Sequence, residues 1–198
     1  MPAPISRTAL FDPGIFSTID VDALKYLDDI IITHGHSDHF DPELIKKLVT
    51  KFPDVHITAP DEVVEQLNAE SIAATSAASD GITFFDSPHE AIRPLLGTDP
   101  PQEIGVHYLG VLSDPGDSFS FHETKGVLAL PVQAPWGSTM DAIKLGVELK
   151  PKYIIPIHDW HWNDDARQSL YDGMEQSFAK AGITFIKAVN GVPFVIEV

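Results

Sequence analysis

Short apolar runs alternate along this chain with segments of helical period, which restricts it to a layered α/β fold and excludes an all-helical or all-strand one. The apolar runs predict strands over residues 8–11, 29–33, 55–59, 82–85, 104–109, 126–131, 153–157, 184–187 and 193–198. The periodic segments predict helices over 42–51, 61–69, 139–148 and 164–181. The first helix has the clearest start, with Asp41 as N-cap, Pro42 in the first helical position and Glu43 in the first turn. Gly182 is placed to end the last one. Asn190-Gly191, between two short apolar runs, reads as the turn of a closing hairpin, and the Ala- and Ser-rich stretch 71–79 as a frayed helix or a surface loop. At 198 residues, with no repeat and no linker-like tract, a single domain over 1–198 is expected.

The isoleucines at 30–32 lead into Thr33-His34-Gly35-His36-Ser37-Asp38-His39-Phe40, and the helix starting at Pro42 follows. Four metal-capable side chains therefore leave the carboxyl end of a buried strand. Residues two apart in extended chain face the same way, so His34 and His36 can converge on one ion. The turn into the helix re-aims Asp38 and His39, which can serve a second ion. Neutral imidazole and carboxylate suit Zn²⁺, with Mn²⁺ or Fe²⁺ as alternatives. With 9 His and 19 Asp in 198 residues, a His-x-His-x-Asp-His match arises by chance in on the order of one chain in a thousand. A solvated polar loop would be built of Asn, Asp, Gly and Ser rather than of three His.

At these residues the chain resembles the metallo-β-lactamase fold superfamily, whose hallmark is a His-x-His-x-Asp-His loop between a strand and a helix. The order of further candidates is similar too: His89, then Gly116-Asp117 after a strand, then His158 ending a late strand. Asp12-Pro13-Gly14, Pro115-Gly116-Asp117 and Pro156-Ile157-His158 resemble most the L-ascorbate-6-phosphate lactonase-like group of metal-dependent hydrolases. The resemblance implies a four-layer αββα sandwich, here without the usual first β-hairpin, because only residues 1–7 precede the first strand. A sheet edge left uncovered in this way raises the expectation of a homo-oligomer.

The same resemblance implies two divalent ions, zinc before manganese or iron, one held by His34, His36 and His89 and the other by Asp38, His39 and His158, with Asp117 bridging. It implies a dinuclear hydrolase that uses a metal-bridging hydroxide on a small ester, lactone or phosphoester, with Asp38 and Asp117 as candidate proton acceptors for the leaving group. A di-iron redox protein is one alternative, although flavodiiron relatives carry an acidic residue where this chain has His36. An inactive metal-binding or interaction module is the other. Relatives often carry a His at the position of Asp114.

Trp136 and His161 are candidates for the pocket wall, and Asp159 for orienting a ligating imidazole by accepting its free N–H. His56 reads as structural and His122 as part of a solvated turn, while His107 is ambiguous. The 13 basic and 29 acidic residues leave a formal charge of −16, which disfavours nucleic acid as a partner, and the densest basic cluster is only Lys46, Lys47 and Lys51. The absence of Cys removes thiolate ligands and a Cys nucleophile. No apolar run approaches the ~20 residues of a membrane span, and residues 1–11 do not read as a secretory signal, so a cytoplasmic protein with a small-molecule substrate is expected.

Overall fold

The computed structural model describes residues 7–91, 97, 99–189 and 191–197. They belong to two compact units, Met1–Ala77 with Pro101–Ile104, and Ala78–Pro100 with Gly105–Val198. The expected absence of a first hairpin concerns residues 1–7, of which 1–6 lie outside the described residues.

In the first unit β1 (Ala9–Phe11), β2 (Asp29–Ile31) and β3 (His56–Thr58) form a parallel sheet in that order. Its central strand is fully buried, as a parallel strand covered on both faces must be. Asp29 is tolerated there because the Arg7 guanidinium meets its carboxylate at 2.5 Å. Helix α1 (Pro42–Lys51) starts where the capping signal places it, with the Asp41 side chain accepting from Glu43 N, and it buries Leu44, Ile45 and Leu48. Helix α2 (Asp61–Ala69) adds Val63 and Leu67 to the same core around Ile30, Ile32 and Ile57. The stretch 71–79 is a surface loop, touching the sheet edge through one bridge from Thr75 to Thr58.

The second unit has six strands in chain order: β4 (Ile82–Phe85), β5 (Gly105–Tyr108), β6 (Leu112–Asp114), β7 (Val127–Pro131), β8 (Tyr153–Ile157) and β9 (Thr184–Phe185). The first three pair antiparallel and the rest continue in parallel. Helix α3 (Thr139–Leu149) opens on a Ser138/Asp141 capping box and helix α4 (Asp164–Lys180) on Asn163. Gly182 ends α4 in the left-handed conformation, as expected from the sequence. A side chain at Gly146 of α3 would meet the Phe178 ring of α4 at 2.6 Å, so this position sets how closely the two helices approach. Phe121, Leu128, Leu130, Ile154, Met174 and Phe178 form the core.

Two strand expectations are corrected. Residues 193–197 form no strand, and the closing hairpin is not made, although Asn190 and Val198 themselves lie outside the described residues. The β9 ladder ends two residues in, the chain bends through an Ala188 N–H to Ile186 O bond, and Pro193 has no N–H to give a ladder. The segment is held instead by its end, where Lys152 and Tyr153 donate to Glu197 O. Strand β6 was not expected, because Leu112-Ser113-Asp114 is too short to show a period and is recruited by its neighbours.

His107 is settled as a core residue. It is 4% exposed on β5, stacks on Phe85 at 4.5 Å between centroids and shares a 2.8 Å hydrogen bond with Ser113 Oγ. Burial lowers its pKa below the ordinary 6.5. The unfolded chain therefore binds a proton here before the folded one does, so the stability this group lends is complete above about pH 6.5 and is lost as pH falls towards the folded value. His107→Gln is expected to lose less stability than the wild type between about pH 7.5 and 5.5, read from urea midpoints at the two pH values.

Candidate metal centre

In the first unit the His loop is built from β2 outward, and the short Asp-Pro-Gly stretch after β1 holds both of its ends. Asp12, in a left-handed conformation at φ 45°, accepts from Thr33 N at 2.7 Å, from Thr33 Oγ1 at 2.8 Å and from His39 Nδ1 at 2.8 Å. Gly14 lies so close beneath the loop that an added Cβ would fall 1.9 Å from Asp38 O, so no side chain fits there. The turn itself is closed by His39 N and Phe40 N on His36 O at 3.0 and 2.8 Å.

This framework fixes the imidazole tautomers. Thr33 Oγ1 gives its proton to Asp12 and accepts from His34 Nδ1 at 3.1 Å, and the Glu103 carboxylate lies 3.2 Å from the same nitrogen with both side chains fully buried. His34 therefore carries its proton on Nδ1 and presents a lone pair on Nε2. That lone pair faces His36 Nδ1 at 3.1 Å, close to the ~3.3 Å that separates two nitrogen ligands of one tetrahedral ion. His39, protonated towards Asp12, presents Nε2 at 3.7 Å from Asp38 Oδ2.

The second unit repeats the device. His89 Nδ1 donates to Glu90 O at 2.7 Å and His158 Nδ1 to Gln133 O at 2.6 Å, which turns both Nε2 atoms towards Asp117 Oδ2, at 3.7 and 3.4 Å. His158 follows β8 in the left-handed region, at φ 60°, and this bend carries its ring back to the Gln133 carbonyl. Glu90 ties the His89 and Asp117 segments together, its carboxylate accepting from Phe119 N and Ser120 Oγ and its own N–H reaching Asp117 O. Trp136 Nε1 donates to Asp117 Oδ2 at 3.4 Å.

Lone pairs that face lone pairs repel unless a cation or a shared proton lies between them. His34, His36, Asp38, His39, His89, Asp117 and His158 all belong to groups whose donor atoms could hold a metal ion. The two pocket-wall candidates fall on the second unit near His158, Trp136 at 6.0 Å and His161 at 5.7 Å between centroids. His56 is on β3 with an exposed side chain, and His122 is exposed beside Glu123.

Asp159 does not orient an imidazole. Its carboxylate accepts from Arg167 Nε at 2.6 Å and Tyr171 Oη at 2.7 Å, and the backbone of Gln133 takes the role expected of it. Tyr171, buried against this carboxylate, has its pKa pushed far up, first by burial, and stays a donor. Asp114 accepts from Gly116 N in the turn before Asp117. The holding roles of Glu103 and Glu90 carry no sequence signal of their own, since their partners lie 69 and about 30 positions away, and Asp12, 27 positions from His39, shows in the sequence only through its Asp-Pro-Gly triplet.

Residues 6–158 match the model of the beta-lactamase superfamily domain, a span that contains all seven candidate ligands. The chain belongs to the metallo-β-lactamase superfamily. Protein Rv0786c of Mycobacterium tuberculosis (strain ATCC 25618 / H37Rv) is 29% identical over 175 residues, 82% of this chain and 80% of that protein. Among solved structures, a candidate metal-dependent hydrolase from Parabacteroides distasonis ATCC 8503 aligns with a TM-score of 0.65 at 19% identity, over 90% of this chain and 83% of that one. The metallo-beta-lactamase fold protein YhfI from Bacillus subtilis aligns at 0.57 and 15% identity, over 90% and 82%. The α/β metallo-β-lactamase fold, with mixed strand pairing and four helices among the described residues, is shared with these neighbours. No helix among the described residues is long and apolar enough to cross a membrane.

Proposed function

We propose that this superfamily member is a dinuclear metal-dependent hydrolase acting on a small ester, lactone or phosphoester. The observation that carries the reading is the aim of the imidazoles: His34, His39, His89 and His158 each have Nδ1 tied to an acceptor, so each keeps an Nε2 lone pair for a cation. His34, His36 and His89 would hold one ion, Asp38, His39 and His158 the other, and Asp117 both. The sharing of ions rests on family membership, while the geometry within each unit supports the ligands that unit contributes. Imidazole and carboxylate donors without thiolate fit zinc, with manganese or iron as alternatives.

Two divalent ions, when bound, supply an activated water near neutral pH and polarise the scissile carbonyl or phosphoryl oxygen. The chain's own residues do the rest. Asp38 and Asp117 are the carboxylates placed to take up a proton and return it to the leaving group. Asp12, Glu103 and Glu90 keep the ligand-bearing loops from moving. The Asp-Pro-Gly, Pro-Gly-Asp and Pro-Ile-His triplets support a place near the L-ascorbate-6-phosphate lactonase-like group, and the acid surface supports a small molecule over a nucleic acid.

Metal analysis of protein purified without added metal is expected to find close to two zinc or manganese ions per chain. Removal by chelation is expected to abolish turnover of esters, lactones and phosphodiesters, and re-addition to restore it. Iron with visible absorption and no hydrolysis would instead make this a redox protein.

A further inference from the structure

The second unit sets aromatic rings around His158, one of its candidate ligands. Trp136, Trp160 and His161 lie with centroids 6.0, 6.4 and 5.7 Å from the His158 ring. Trp160 and His161 are stacked on each other at 3.6 Å and 23°, and Trp160 is 46% exposed. Trp136 is fixed from behind by the edge of Phe119 at 5.0 Å and by its N–H on Asp117. Large aromatic side chains normally bury their area in a core. Here a stacked pair stands at the surface, continuous with the residues proposed to hold metal.

The Lys or Arg side chain nearest in the chain to this pair is already largely engaged. Arg167 gives Nε to Asp159 Oδ2, Nη1 to Asp164 and Nη2 to the Asp159 and Trp162 carbonyls. These four bonds leave the guanidinium one of its five N–H donors, too few for the bidentate grip that fixes a phosphate, sulfonate or carboxylate. The two bonds that the Asp159 carboxylate accepts, from Arg167 and Tyr171, both end on Oδ2.

We infer that Trp160, stacked on His161 beside His158 and Trp136, is the binding surface for a flat, uncharged aromatic group on the substrate. This rests on the hydrolase reading and narrows it: within the ester, lactone and phosphoester classes, it selects substrates that bear an aromatic ring.

Binding of phenylacetate and of acetate to the zinc-loaded protein, measured by calorimetry, tests this without turnover. Both probes carry the same carboxylate, and only one carries a ring. Phenylacetate is expected to bind about tenfold more tightly than acetate. Trp160→Ala should erase that difference while zinc content and acetate affinity stay at wild-type levels. Trp136→Phe, which keeps a ring, should preserve it. Equal affinities for the two probes in the wild type, or a preference that survives in Trp160→Ala, would overturn the inference. Failure of the hydrolase reading shows separately, as zinc-loaded protein that turns over neither γ-phenyl-γ-butyrolactone nor γ-butyrolactone nor glucono-δ-lactone nor bis(4-nitrophenyl) phosphate.

Discussion

Asp117→Ala is expected to take bound metal from near two ions per chain to one or fewer, and to lower hydrolysis on the order of a thousandfold or more. The carboxylate is 4% exposed and its Oδ2 faces both His89 Nε2 and His158 Nε2. Removing it deletes an anion that two imidazoles of the second unit have in common. The interactions lost in the metal-free protein include the long hydrogen bond from Trp136. The separation is visible by thermal melting: zinc in excess raises the wild-type Tm by linkage, whereas the variant gains much less. A variant that kept both metal content and activity would show that the bridging assignment is wrong.

Asp12→Ala should produce the second largest effect, by a different route. Asp12 touches no proposed ion, yet it holds Thr33 N, Thr33 Oγ1 and His39 Nδ1. Losing it strands a buried backbone N–H and an imidazole N–H at ~1–3 kcal/mol each, and frees His39 to choose the other tautomer. Metal affinity is expected to fall about 10- to 100-fold, together with a lower urea midpoint in the metal-free protein. An Asp12→Ala protein with wild-type zinc affinity would show that the tautomer of His39 is held by something else.

The legibility of this molecule in its sequence follows the range of the interactions involved. The His34 to His39 loop and the start of α1 are local, set by spacing along a strand and by capping within three residues, and both stand where the sequence puts them. The four described helices agree to within a residue for the same reason. Strand β6 and the missing strand at 193–197 depend on which neighbours offer a ladder, and hydropathy cannot report that. Asp159 shows the same limit at a side chain. Its position beside His158 suggested a partner, and the helix packed alongside supplied Arg167 and Tyr171 instead. Glu103 was invisible because nothing in residues 99–106 distinguishes it from a solvated acid until it is found buried against His34.

The anchored Nδ1 atoms bear on the kinetics of metal capture. An imidazole in water spends its time in either tautomer and any rotamer, and a ligand set of free imidazoles must reorganise as each bond to an ion forms. Here four rings have been turned and protonated by folding itself. An arriving cation would therefore need to rotate none of these four rings, so uptake should be quick, and release should require part of the surrounding loop structure to open first.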